Sequence, residues 1–367
     1  MTNTTLEYRL NFATPAFLGN AEQQAQWRTP PIKALIRQWW RVVKAPQVRF
    51  NVAELRAAES RLFGAASDNG AVTSHQSLLR LRLKHWNDGQ LDNDTWPKQE
   101  MKNIQVGQGQ VRADVYLGFG PIAPASKNLG RPEPRVERRA IDPVKQENEL
   151  SVRFDRHASD QQINEIRQAL SLASWFGGVG SRSRNGWGSL TFQGDSIQRL
   201  PQFQEDIAQY CQPFAQCFSH DWPHAIGTDV AGPLVWVGRT SGEVFKNWRE
   251  AVYFLTTLRL AIRAAAKKFG RNKDISANQL IAYPVTQSKN NVWGDDARIA
   301  GSLRLKVVGT ERGFVPVAVH LPCAVPKFLF DKLIVGDQHW VNDNQVKIWA
   351  AAHQSIGLLM PRLGNKQ

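Results

Sequence analysis

Residues 29–44, TPPIKALIRQWWRVVK, constrain the fold more than any other stretch. The two prolines suit the first turn of a helix, where a missing N–H costs nothing. Beyond them Ile32, Leu35, Ile36, Trp39 and Val43 recur with the helical period, so one face must be buried. Lys33, Arg37, Arg41 and Lys44 follow at spacings of three and four on the other side. No Asp or Glu occurs between Glu22 and Glu54, and Arg28 and Arg49 add to the surplus. The expectation is an amphipathic helix that gives its apolar face to a core and an unbroken cationic stripe to solvent. A phosphate backbone lying along that stripe would relieve the repulsion between like charges. Trp40 lies at the edge of the stripe, placed to stack on a base.

The neighbouring patterns say what that helix packs on. Residues 6–12, LEYRLNF, alternate as a strand does. A second helix, AELRAAESRLFG, ends at Gly64. Strands are expected at 77–86 (SLLRLRLKHW, alternating apolar and basic), 111–119 and 149–155. Ser159 is placed to cap a helix carrying Ile163, Ile166, Leu170 and Ala173, and a strand follows at about 190–192. Strands interleaved with helices in this order suit an α+β, ferredoxin-like (RRM-like) domain with insertions.

A chain of 367 residues is too long for one core, so two domains are expected. Weak periodicity and several prolines at 201–233 place the junction there, giving domains of 1–200 and 201–367. The second half shows strands near 234–237, 302–308 and 314–320 and helices near 248–269 and 344–358, a second α+β unit without a sequence repeat. Lys plus Arg number 46 against 32 Asp plus Glu, a net charge of +14, which favours a polyanionic partner. No run reaches the roughly 18 apolar residues of a membrane span. The first ten residues are polar, and three cysteines form no disulfide framework, so a cytoplasmic location is expected.

Two further segments bear on the partner. Residues 177–188, GGVGSRSRNGWG, place five glycines around Arg182 and Arg184. Gly178 and Gly180, lacking Cβ, and Ser181 beside them would let backbone N–H groups approach a phosphate. The loop follows a helix and lacks the Gly-Lys-Ser/Thr of a nucleotide-binding P-loop. A Pro-rich insertion at 121–145 carries Lys127, Arg131, Arg135, Arg138, Arg139 and Lys145.

Together these features resemble the RAMP superfamily of CRISPR-associated RNA-binding proteins, most of all the Cmr-type family of type III-B effector complexes and its first-numbered subunit. TPAFLGN (14–20) with WRTPPIKALIRQWWRVV (27–43) and LFG (62–64), and FGGVGSRSRNGWGSL (176–190), carry the resemblance. YPV (283–285) with ARIAGSLRLKVV (297–308) is a weaker match in the second half. Ala34 and Gln38 depart from the family helix, which has glycine and an aromatic there. The resemblance implies two ferredoxin-like domains and a subunit that is not the nuclease. Such a subunit binds guide RNA (crRNA) and target RNA and assembles beside other Cmr subunits near the 3′ end of the guide. By motif position it carries RNA contact onto Lys33, Arg37, Arg41, Arg182 and Arg184, and it sets the basic insertion where related backbone proteins have a thumb. No cofactor is implied.

The alternative is a RAMP-type endoribonuclease, for which Asp114 and Asp142 are the acidic candidates. His75 and His85 are not evidently paired for acid–base work. Cys211, Cys217, His220 and His224 are clustered, but not at the spacing of a zinc site.

Overall fold

The computed structural model describes residues 4–66, 74–194, 197, 199–285, 292–294, 297–299 and 301–364; Ala300 of the weaker motif lies outside them. The chain gathers into two compact units. One comprises Met1–Met101, Asp114–Leu200 and Lys306–Gly309; the other comprises Lys102–Ala113, Pro201–Leu305 and Thr310–Gln367.

In the first unit β1 (Thr5–Phe12) leads to α1 (Thr29–Lys44) and α2 (Val52–Phe63). Then come β2 (Leu79–Leu83), β3 (Asn148–Phe154), α3 (Asp160–Phe176) and β4 (Leu190–Gln193). The sheet order is β2–β3–β1–β4, every pair antiparallel. The register follows the pleat. Tyr8 faces Leu150, and Leu79 faces Phe154, on the buried side. Glu7 faces Ser151, Arg9 faces Glu149 and Arg80 faces Arg153 on the other side. A one-residue slip would turn every apolar side chain outward, so the pattern sets the pairing.

The helices form where the sequence signals them. Pro30 and Pro31 fill the first turn of α1. The Asn51 side chain accepts from the Ala53 and Glu54 N–H groups at 2.9 and 3.1 Å and starts α2. Ser159 and Gln162 form a reciprocal capping box on α3. Alpha-1 buries Ile32, Leu35, Ile36, Trp39, Trp40, Val42 and Val43 and packs on α3. Each such side chain removed from water contributes about 1.5–3 kcal/mol.

In the second unit β5 (Val235–Val237), α4 (Trp248–Lys267), β6 (Leu303–Thr310, of which Lys306–Gly309 belong to the first unit), β7 (Gly313–His320) and α5 (Val335–Gly357) follow in order. The sheet order is β5–β7–β6. Beyond β5, residues 361–363 run antiparallel to it: Val237 N donates to Pro361 O at 3.2 Å and Leu363 N to Val235 O at 2.9 Å. Alpha-4 packs on α5. No helix among the described residues is long and apolar enough to cross a membrane.

Two expectations change. The strand expected at 111–119 is a strand only to Arg112, and Ala113–Gly118 is helical. There Asp114 is wholly buried and accepts the Trp96 indole N–H at 2.9 Å, so a helical turn serves the buried polar group. The last helix starts at Val335, about nine residues before the expected 344.

Candidate nucleic-acid interface

The cations of α1 are engaged inside the first unit. Lys33 Nζ donates to Phe63 O at 3.2 Å and to Ser77 Oγ at 2.9 Å, which ties down the end of α2. Burial, and then Arg37 nearby, pulls its pKa down. Arg41 grips Glu59 with two bonds, Nε to Oε2 at 2.5 Å and Nη2 to Oε1 at 2.7 Å. Those bonds raise its pKa. Arg37 lies 3.6 Å from the same carboxylate and over the Phe63 ring. Lys44 Nζ reaches Glu165 Oε1 at 2.8 Å. The unbroken stripe expected from the sequence is therefore not present. Its counter-acids are Glu59 of α2, 18 residues beyond Arg41, and Glu165 of α3, 121 residues beyond Lys44. Arg37 and Arg41 keep about 40 % of their side chains exposed, while Lys44 keeps 17 %. Arg28 Nη1 donates to Gly19 O at 2.7 Å.

Trp40 also departs from expectation. It is 1 % exposed, packs edge-on against Phe63, and donates its indole N–H to Glu165 Oε2 at 2.9 Å. No face is left for a base. Glu165 thus accepts from the buried Trp40 indole, from part-buried Lys44 and, at 3.2 Å, from Gln161 Nε2. Lys44 also reaches Gln47 Oε1 at 3.0 Å, so Glu165→Ala leaves the Trp40 N–H as the donor without an acceptor. We expect it to cost about 2 kcal/mol, measured by urea unfolding; a change under about 1 kcal/mol would contradict this.

The glycine-rich loop folds onto the opening loop, so the two segments that carried the resemblance meet. Ser181 N donates to Phe17 O and Gly188 N to Pro15 O, both at 2.9 Å, and Thr14 Oγ1 to Gly186 O at 2.6 Å. A Cβ on Gly188, at φ +57°, would lie 2.0 Å from Val179 O, and one on Gly180, at φ +89°, 2.5 Å from Phe17 O. These glycines admit the chain's own backbone, where the sequence reading had them admit a phosphate. Gly178 packs within the same turn, against Gly188. Arg182 adopts φ +61°, unfavourable for a residue with a side chain, and donates Nε to Phe119 O at 2.6 Å. It is exposed, and Arg184 is half-buried.

The insertion is built of short pieces. Ile122–Ala123 pairs with Arg135–Val136, and Leu91 and Ala140 exchange backbone bonds of 2.7 and 3.0 Å. Arg135 and Arg139 are exposed, and Arg138 is half-exposed. Asp142 is 7 % exposed and accepts from Val144 N at 2.8 Å. Like Asp114, it serves the interior.

The outer face of the four-stranded sheet is the cationic surface that the sequence reading did not single out. It carries exposed Arg9, Arg80, Arg82 and Arg153 against Glu7 and Glu149. Glu7 accepts from Ser151 Oγ at 2.6 Å, and Glu149 takes Lys84 Nζ at 2.7 Å. Among the described residues Arg80, Arg82 and Arg153 enter no ion pair. Arg80 and Arg153 sit directly opposite each other, an arrangement that costs stability unless an anion lies over it. The signal was the alternation LRLRLK, whose basic positions all point to one side.

In the second unit, Cys211 and Cys217 are pushed up to about 12 by burial and donate to the carbonyls of Ile207 and Gln212. Burial brings His224 down to about 4; its ring nitrogens lie 2.7 Å from Trp222 O and 2.6 Å from Gln212 Oε1. No group of three or more potential metal ligands forms among the described residues. His75 and His85 are exposed on either side of β2, outside it.

Residues 9–191 match the profile of the RAMP superfamily. No curated protein sequence matches the chain. Among solved structures, Cmr1 from Pyrococcus furiosus in its apo form is 12 % identical, with a TM-score of 0.43, over 93 % of this chain and 97 % of that one. A chain of the type III-B Cmr-beta complex bound to cognate target RNA is 12 % identical, with a TM-score of 0.45, over 96 % and 100 %. A second Cmr-beta structure, with cognate target RNA and AMPPnP in the presence of ssDNA, gives 11 %, 0.47, 96 % and 98 %. Through residues 9–191, the span that holds the basic sheet face and both paired loops, the chain belongs to the RAMP superfamily.

Proposed function

We propose that this protein is a noncatalytic RNA-binding subunit of a type III-B (Cmr) CRISPR effector complex. In this reading it sits beside other Cmr subunits near the 3′ end of the guide RNA and supports binding of target RNA. The observation that carries the proposal is the outward sheet face inside the RAMP span, where Arg80, Arg82 and Arg153 meet no carboxylate partner among the described residues. Single-stranded RNA laid across a sheet meets exposed side chains at every second residue of each strand. The opening and glycine-rich motifs support membership of the Cmr-type family. The first unit's β-α-β-β-α-β order, with α2 as an added helix after α1, and the β5–β7–β6 sheet of the second support two ferredoxin-like domains, 1–200 and 201–367.

RNA contact is assigned first to the sheet-face arginines, then to the exposed Arg135, Arg139 and Arg182, with Arg138 and Arg184 beside them. Lys33 and Lys44 are structural in this reading. Arg28, Arg37 and Arg41 can meet a phosphate only while also serving Gly19 O or Glu59.

The test is RNA binding over a salt series. Arg80/Arg82/Arg153→Ala should flatten the log–log slope by about 2, since each single-strand phosphate contact contributes roughly 0.7. Affinity at 0.1 M salt should fall on the order of 100-fold. An unchanged slope removes the sheet face from the RNA path. Labelled guide and target RNA should stay intact; discrete products would overturn the noncatalytic assignment.

A further inference from the structure

Beyond the end of β2, residues 86–92 run between the opening loop and the returning insertion and leave a groove of about 590 Å³. Its lining includes Trp86, Arg139, Gln26, Asn87, Gln90 and Asp92. The groove is open and mostly polar, and backbone and amide bonds hold its floor. Asn87 O accepts from Trp27 N at 3.0 Å, and Gly89 N donates to Ala25 O at 2.7 Å. The Gln146 amide spans the segment, donating to Asp88 O at 2.8 Å and accepting from Asp142 N at 2.9 Å. A Cβ on Gly89 would lie 2.6 Å from the Ala140 carbonyl, so the strands are pressed together beneath the groove.

Trp86 is 57 % exposed, the most exposed tryptophan recorded among the large hydrophobic residues, and its indole ring is not used by the core. A rigid aromatic kept in water beside a groove of amides invites a flat partner. The charges decide which part of a nucleotide fits. Asp92 accepts from the N–H groups of Asp94 and Thr95 and from Thr95 Oγ1, and those bonds, with Arg139 nearby, hold its carboxyl below the usual range. An ionised carboxylate repels phosphate but accepts readily from ring N–H and amino groups. The amides of Gln26, Asn87 and Gln90 offer both donors and acceptors. The groove therefore suits a nucleobase, while the arginines of the sheet face suit the phosphates.

We propose that the groove receives one unpaired RNA base stacked on Trp86, with its edge read by the groove's amides and by Asp92. The inference rests on the RNA-subunit reading and extends it from the phosphate track to a base site. It is tested with the full chain and two variants, Trp86→Ala and Trp86→Phe. Because Trp86 is exposed, thermal unfolding should be unchanged in both.

Trp86→Ala should weaken binding of a single-stranded RNA 20-mer on the order of 10-fold, the loss of one base stack. It should leave duplex RNA of the same length unaffected and keep the salt slope of the parent, whereas Trp86→Phe should restore most of the loss. Equal loss on duplex and single strand, or no loss on either, overturns the base site. A second arm titrates nucleoside monophosphates and follows tryptophan fluorescence, expecting saturable quenching that Trp86→Ala abolishes. Quenching without RNA binding would keep the groove and remove the RNA-subunit reading. RNA binding with neither quenching nor a Trp86→Ala effect would do the reverse.

Discussion

Lys306→Met should lower the stability of the first unit by about 3–5 kcal/mol, the cost of leaving buried polar groups without their charged partner. Lys306 is 1 % exposed, and its ammonium sits in a cage of carbonyls. Nζ donates to Ser174 O and Leu190 O at 2.6 Å and Gly177 O at 2.7 Å, and Ala173 O completes the cage 3.2 Å away. Three of the four end α3, at the negative end of the helix dipole, where Ala173 O also accepts from Gly177 N at 2.8 Å. Burial pulls the ammonium's pKa well down, while the carbonyls favour the proton. Methionine keeps much of the volume and none of the donors. Urea unfolding should show a midpoint well below the parent's at unchanged slope. A loss under 1 kcal/mol would mean that water can replace the ammonium in the cage.

Acid should unfold the second unit well before ordinary carboxylates titrate. His320 and His353 are buried and share a bond of 2.9 Å between Nδ1 and Nε2, which needs one bare nitrogen. Ser302 Oγ lies 2.9 Å from the other nitrogen of His320, and Trp349 lies against its ring. Arg362, bonded to Asp229 at 2.6 Å, adds a positive charge nearby. Burial first, then the neighbouring imidazole and Arg362, push His320 well down; burial and Arg362 bring His353 to about 3, with Asp229 opposing. Below pH 6.5 the unfolded imidazoles take up protons that the folded ones refuse, so stability falls as the pH falls. Each imidazole contributes a slope of about 1.4 kcal/mol per pH unit. His224, held near 4, adds to it over the upper part of the window. Above about pH 7.5 the three contribute no pH dependence. The measurement is the thermal midpoint between pH 7.5 and 4.5, where carboxylates are still mostly ionised. A flat profile would contradict the prediction.

Much of the first unit was legible because its local signals agree with its tertiary order. The alternation in LEYRLNF, the two prolines before Ile32, Ser159 as a cap, and the alternation in LRLRLK all lie where the elements begin and run. The segment 111–119 was not legible as a helix. Its alternation suits a strand equally well, and the choice fell to Asp114, whose partner Trp96 lies 18 residues back.

The site divides along the same line. The sequence by itself determined that the chain is basic, that residues 29–44 form an amphipathic helix, and that the basic positions of 80–84 share one side of a strand. Periodicity is a local property, so a local string of residues is enough to settle it. Only the tertiary structure decided which cations remain available. Glu59 and Glu165 arrive from other helices to occupy Arg41 and Lys44, and Trp40 turns inward to Glu165. Gly180 and Gly188 give their space to Phe17 O and Val179 O. Arg80, Arg82 and Arg153 find no such carboxylates among the described residues. Charge compensation depends on distance in space, and residues more than a hundred positions apart come within 3 Å only when the chain is folded.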